Sequence, residues 1–493
     1  MAALFSSCEQ WFDVTPPSQI REEKHFDSPV GYEQALIGCY IAMCDDYLYN
    51  KYLTWHMPEV LARQFEPYVH TSSTNVDYPL QNYSYKTAAV ANELDKVWLK
   101  GYNVIANANN ALKFVDQKGK NILHPTNYKL IKGELLAIRA YMHFDLLRLY
   151  GYGNWANRSA ELNEKLTLPY ATLLSKEETP QFKGKEFIAA LHADIDEALA
   201  LLADVDPVLR SLLGSGSDSF YDEVNAEGFY DNRKLRLNYF AVQALKARVL
   251  TWEGTADGLK KAREIAEEVI EYGVKSSAAA IKWMTIAETN RDMSMTQEGI
   301  FVLNVKDLAA VTAPYISPQL SINDMDKNVM YMTDADAKAI YESAKEGHGT
   351  DWRLSNLMAS VREYYVPLKM IQTSSFYYPE NRIPLIRLPE LYYIAAEGWL
   401  LGSQPDPART LSLLNEVRDI RGISVPLDSG LTTEAIREEI KKEYRKEFIS
   451  EGIAFFYYKR TGEVTIPHYL EEMTDNQYVL PFPENEINYG RVQ

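Results

Sequence analysis

The stretch LPELYYIAAEGWLLGSQPDPARTLSLLNEVRDIR, residues 388–421, decides the fold class. Residues 388–401 and 408–421 each place apolar side chains at helical spacing, and the segment between them, from Gly402 to Pro407, breaks the pattern. The unit is a helix, a short Gly-bearing turn and a second helix. It recurs at 237–253, 254–258 and 259–272, and in looser form as 129–150 with 185–203 and 31–49 with 92–115. Elsewhere Leu136, Ala140, Phe144 and Leu147 line one face, as do Ile436, Ile440, Tyr444 and Phe448. Strand-like alternation is scarce, so the chain reads as mainly α-helical.

Small residues, among them Ala244, Ala262, Ala266, Ala395 and Gly398, sit beside large apolar ones in these pairs. Helices so built approach closely and stack as tetratricopeptide repeats do. The pairs are scattered, however, and the segments 56–87, 151–184, 204–234 and 276–387 are inserted between them. These insertions hold many of the aromatic residues. Loops on a rigid helical frame are where binding chemistry usually sits.

With 51 Lys plus Arg against 68 Asp plus Glu, the net charge of −17 argues against nucleic acid and anionic membrane surfaces, whose binding draws on cationic side chains. The longest apolar run, from Ala35 to Cys44, is about half of the roughly 20 residues that a membrane-spanning helix needs. Three cysteines, Cys8, Cys39 and Cys44, make neither a disulfide framework nor a zinc site. Cys39 and Cys44 read as small buried hydrophobes. Cys8 follows Leu4-Phe5-Ser6-Ser7, which resembles the end of a bacterial lipoprotein signal, although the charged start and most of the apolar region of such a signal are missing.

The helix ends carry a further set of words. Cys8-Glu9-Gln10-Trp11-Phe12-Asp13-Val14-Thr15-Pro16 resembles the mature start of SusD/RagB-type outer-membrane lipoproteins of Bacteroidetes. Gly133-Glu134, Ile138-Arg139-Ala140 and Tyr150-Gly151 are similar to the family's central helix. Arg387-Leu388-Pro389-Glu390-Leu391-Tyr392, Ala396-Glu397 and Leu414-Asn415-Glu416-Val417-Arg418 resemble its later helix pair. Glu447-Phe448, Glu451-Gly452, Lys459-Arg460 and Leu480-Pro481-Phe482-Pro483 resemble its C-terminus. The Glu and Arg of these words fall on packed helices, where buried charges need partners, so they read as structural.

The resemblance implies a tetratricopeptide-like frame (a SusD-like α-α superhelix) bearing long irregular ligand loops. It implies three regions: a tether at 1–25 after the lipid-anchor Cys8, an N-terminal helical region at 26–275, and a C-terminal region at 276–493 with ligand loops and the last helix pair. It also implies a cell-surface, outer-membrane lipoprotein that hands oligosaccharides, or in some members peptides, to a SusC-like TonB-dependent transporter, without catalysis or cofactor.

Sugar recognition needs flat aromatic faces, with amide, carboxylate and guanidinium groups at their edges to satisfy hydroxyls. In the family the ligand loops lie between the first two helices and after the second repeat pair. The corresponding residues here are Trp55, Arg63, Tyr68, Asn75, Asp77 and Tyr78 in the first region, and Trp283, Tyr315, Asn323 and Trp352 in the second. The alternative for each ring is to pin a long loop onto the helices. Trp98 and Trp252, at helical spacing with apolar neighbours, read as core.

Zinc-protease, serine-hydrolase and P-loop patterns do not occur, and the eight His are scattered, so no catalytic residue, metal or cofactor is expected. Residues 324–328 begin like an EF-hand loop, but Val329 replaces the required Gly and Ala335 the bidentate Glu. Glycan binding therefore stands against three competitors: a peptide-binding member of the same system, an intracellular helical-repeat adaptor binding a protein partner, and a helical glycosidase acting through paired carboxylates, whose separation is a fact of three dimensions.

Overall fold

The computed structural model describes residues 23–68, 76–213, 223–317, 329–372 and 380–492. Cys8, Asn75, Asn323 and the 324–328 stretch lie outside the described residues.

The frame consists of α1 (Pro29–Met43), α2 (Ala88–Phe114), α3 (Pro125–Tyr150), α4 (Gly184–Leu202), α5 (Tyr239–Glu253), α6 (Ala256–Glu268), α7 (Leu388–Leu401), α8 (Pro407–Ile420) and α9 (Thr433–Glu447). Each packs on its successor, so the four expected helix pairs form one continuous stack although long insertions separate them in sequence. α3 is buried on nearly every side from Gly133 to Tyr150 and lies at the centre, flanked by α2 and α4. Trp98 and Trp252 are core residues, 3% and 2% exposed.

Local signals set the turns. Gly254 closes α5 at φ 66°, and Thr255 at once caps α6 by accepting from the Gly258 N–H at 3.1 Å. Asp406 caps α8 by accepting from the Arg409 N–H at 3.0 Å, with Pro407 in the first turn. Gly398 of α7 faces α6 so closely that a Cβ there would stand 2.6 Å from the Leu259 carbonyl oxygen. The small residue is what allows that approach.

One helix boundary differs from expectation. α1 stops at Met43, where periodicity predicted helix to Tyr49, and residues 44–56 continue as successive turns. Asp45 Oδ1 accepts from the Tyr47 N–H at 2.9 Å, a local bond that competes with the helical ladder. Thr54 Oγ1 then donates to the Tyr49 carbonyl at 3.1 Å and holds the turns together.

The insertion at 276–387 contributes β1 (Gly299–Asn304), antiparallel to β2 (Arg382–Arg387), and a three-stranded antiparallel sheet in which Tyr364–Pro367 lies between Met358–Val361 and Met332–Thr333. Five consecutive residues of β1 are buried, because it lies under α5 rather than at a half-wet surface. Pairing Gly299 with Arg387 brings Arg387 to the start of α7.

There the Arg and Glu of the sequence words find partners. Arg387 Nη1 lies 2.9 Å from both Glu298 and Glu447, and Nη2 2.7 Å from Glu451. Arg421 bonds Glu298 at 2.7 Å and Glu447 at 2.9 Å, while Arg353 bonds Glu443 at 2.9 Å. These side chains are essentially fully buried. A second network joins Glu134 of α3 to Arg236 at 2.8 Å and to Arg233, which also bonds Asp206 at 2.7 Å. Arg139 meets Asp194 at 2.6 Å, and Arg460 meets Glu397 at 2.7 Å. Each pair fastens an insertion or a neighbouring helix to the stack. No helix among the described residues is long and apolar enough to cross a membrane.

Candidate ligand site

The turns after α1 and the chain leaving the short helix Leu308–Thr312 meet over the start of the Met57–Ala62 helix. Trp55 is fully buried, its indole N–H donating to the Asn50 carbonyl at 2.9 Å. Tyr315 stands edge-on to it at 5.6 Å between ring centroids, and edge-on to His56 at 4.7 Å. Lys51 Nζ lies 3.9 Å from the Tyr315 ring centroid and donates to the Tyr315 hydroxyl. Tyr68 joins the same group, with Asp77 and Tyr315 as electrostatic neighbours.

Beside them Tyr52 donates to Glu93 Oε2 at 2.6 Å, and Lys96 donates to Glu93 Oε1 at 2.8 Å and to the Tyr47 hydroxyl at 2.9 Å. The Tyr47 and Tyr52 rings lie 5.3 Å apart. The surface thus combines half-buried rings, Tyr47 and Tyr315, with ammonium and carboxylate groups at their edges.

Burial governs the ionisation of this patch. It lowers the pKa of Lys51, against the opposing charges of Asp77, Glu93 and Asp46. It also lowers that of His56, against Asp77, whose Oδ1 is 3.3 Å from His56 Nε2. His56 Nδ1 and Asp77 Oδ2 are both buried and without a hydrogen-bond partner among the described residues. Buried polar atoms are normally satisfied, so these two are suited to an ordered water.

Of the residues expected from sequence, Trp55, Tyr68, Asp77 and Tyr315 are brought together. Two expectations require correction. Trp55, at 0% exposed, and Trp352, at 3%, offer no ring face to a sugar and take the loop-pinning role instead. Trp352 donates to the Ile420 carbonyl at 2.8 Å and packs on Arg421, 4.8 Å from its ring centroid. Trp283 is half-buried on that same guanidinium at 5.1 Å and on Tyr392 at 5.2 Å, so these two rings gather around the buried ion network.

Arg63, in the left-handed region at φ 51°, donates to the Gln81 carbonyl at 2.6 Å and lies over the Tyr469 ring at 5.5 Å. The Tyr68 N–H donates to Gln81 Oε1 at 2.7 Å, so both residues also brace the loop. Tyr78 is half-buried, and its carbonyl accepts from Asn82 at 2.9 Å.

Sequence reasoning missed Tyr47, Lys51, Tyr52, Glu93 and Lys96. The signal is present in the sequence: residues 45–56 contain Tyr47, Tyr49, Tyr52 and Trp55 around Lys51, but helical periodicity to Tyr49 hides them and places the start of the first insertion at His56. A separate groove of about 920 Å³, lined by Tyr83, Tyr85, Tyr152, Phe482, Asp475 and Asn476 among others, is also large enough for a small-molecule ligand.

Known proteins place this architecture. Superposition on a SusD superfamily protein from Bacteroides thetaiotaomicron gives a TM-score of 0.68 at 20% identity, covering 94% of this chain and 99% of the other. A SusD superfamily protein from Bacteroides vulgatus gives 0.69 at 18% identity over 94% and 97% of the two chains. A putative sugar binding protein from the same species gives 0.68 at 20% over 94% and 96%. At these identities the likeness concerns the fold.

In sequence, the SusD-like protein P25 of Formosa agariphila is 29% identical over 150 residues, a match that spans 29% of this chain and 28% of the relative. A SusD-like family model described as "Starch-binding associating with outer membrane" matches residues 10–205, and the SusD family model matches residues 325–479. Those matches enclose α1 to α4 and α7 to α9, and the chain belongs to the SusD/RagB family.

Proposed function

We propose that this chain is a surface glycan-binding protein that captures oligosaccharides at the Tyr47–Tyr315 patch and delivers them to a SusC-like TonB-dependent transporter, held at the outer membrane through lipid on Cys8. Family membership, with its starch-binding, outer-membrane description, supports the setting. The observation that carries the site is the meeting of two chain segments, 45–56 and 308–317, which puts part-exposed rings beside Lys51, Glu93 and Lys96. Ring faces supply contact area with the sugar, and the polar edges discriminate among hydroxyl patterns. The chain binds its ligand and releases it unchanged.

A glycan array on the purified chain, followed by titration of the best glycan against Tyr315→Ala and Lys51→Ala, tests this reading. A loss of about tenfold or more in affinity, about 1.4 kcal/mol, is expected in each with the circular dichroism spectrum preserved. Unchanged affinity in both variants removes the site. A silent array beside a peptide library that is retained replaces glycan with peptide as cargo.

A further inference from the structure

Away from that patch, three chain segments bring two carboxylates and an imidazole to one point. Glu66, Asp336 and His468 each offer one ligand atom, and these atoms all lie within 4.8 Å of one another. All three side chains are half-buried. Asp336 and His468 also line a cavity of about 480 Å³, so the point is open to solvent on one side.

The surrounding charges are committed elsewhere. Lys441, in the cavity wall, bonds Glu438 at 2.7 Å and Glu463 at 3.0 Å, and Arg445 donates to Gln64 Oε1 at 3.1 Å. Among the described residues no Lys or Arg forms an ion pair with Glu66 or Asp336.

The positions are fixed. The Glu66 N–H donates to the Tyr331 carbonyl at 2.8 Å, and the Asp336 N–H to Thr333 Oγ1 at 3.1 Å. We propose that Glu66, Asp336 and His468 form a binding site for a divalent transition-metal ion of the Zn²⁺ class.

The donor set decides the class. One nitrogen and two carboxylate oxygens suit Zn²⁺, whereas Ca²⁺ and Mg²⁺ prefer oxygen alone. Three protein ligands and an open side leave the fourth position to water. The ion would tie Glu66, two residues before Tyr68, to the short helix Asp334–Tyr341 and to the loop carrying His468. The site is independent of the glycan reading.

The test uses the whole purified chain, stripped with chelator and titrated with ZnCl₂ by calorimetry, with bound metal measured after dialysis. The wild type is expected to take up one Zn²⁺ per chain and to melt at a higher temperature with it; a hundredfold excess of CaCl₂ should not displace it. Asp336→Asn and His468→Asn should each weaken uptake by about tenfold or more and abolish the shift in melting. His468 sits at φ 53°, a conformation Asn tolerates, so the second variant keeps the loop's backbone. Failure of the wild type to bind stoichiometrically, or binding by both variants as tight as wild type, overturns the proposal.

Discussion

Glu443 is a single atom group on which the attachment of the 276–387 insertion can be measured. Its side chain is fully buried on α9, with Arg353 Nη1 at 2.9 Å, Lys446 Nζ at 3.2 Å and Arg418 Nη1 at 3.5 Å. Burial alone would raise its pKa, but Arg353, Lys446 and Arg418 outweigh that and bring it from 4.5 down to about 2. That difference corresponds to about 3 kcal/mol of stability at neutral pH. Removing one partner of a buried ion pair costs about 3–5 kcal/mol by a separate route, so the two magnitudes agree.

Glu443→Gln keeps the volume and removes the charge, and should therefore destabilise the chain by about 3 kcal/mol at pH 7. The pH dependence has a definite sign. A carboxylate whose folded pKa is depressed stabilises above its unfolded value and loses that contribution as pH falls through the folded one. Here the window runs from 4.5 down to about 2. The difference between wild type and variant should persist to pH 5 and fall to roughly half by about pH 3. Equilibrium urea denaturation of both proteins at pH 7, 5 and 3 measures it. A difference under about 1 kcal/mol at pH 7, or one that does not shrink with acid, would refute the account of the network as a charge-dependent clamp.

Two further outcomes follow from packing. Gly398→Ala should cost about 1–3 kcal/mol, because its methyl meets the Leu259 carbonyl at 2.6 Å, while Gly38→Ala, with nothing within 4 Å of its Cβ in the middle of α1, should stabilise by about 0.4–1 kcal/mol; urea midpoints compare them directly. His143, stacked on Tyr170 at 3.9 Å and held neutral by burial with a pKa of about 3, should show no NMR titration between pH 5 and 8. Because the unfolded chain takes up that proton near 6.5, its linkage weakens the fold as pH falls below 6.5.

The frame was legible because α5 through α8 carry their own punctuation. Gly254 and Thr255, or Asp406 and Pro407, say where one helix stops and the next begins without reference to anything distant. The charged words were legible for a different reason. An Arg or Glu at a position such as Arg387, Glu390 or Glu447, among apolar neighbours on a helix, can only be buried with a partner, although which partner is a fact of three dimensions. β1 was not legible, since Ile300 to Leu303 is a continuous apolar run whose strand character comes from pairing with β2 across more than 70 residues.

The candidate site was half legible for the same physical reason. Aromatic residues of inserted loops have two fates, and local sequence does not separate them: Trp55 and Trp352 each spend their indole N–H on a backbone carbonyl and disappear into the core, whereas Tyr315, with a similar loop setting, remains part-exposed because Lys51 engages its hydroxyl. The buried rings satisfy their indole N–H on backbone carbonyls, Trp55 within its own turns and Trp352 on α8. Tyr315, edge-on to the buried Trp55 and engaged by Lys51, is held in place yet remains part-exposed. The buried tryptophan is thus a support for the binding surface, and Trp55→Ala should damage ligand binding together with stability, by about 3–5 kcal/mol, where Tyr315→Ala damages binding alone. Parallel melting curves and glycan titrations on the two variants separate these roles, and loss of binding in Trp55→Ala at unchanged stability would instead return Trp55 to the set of direct contacts.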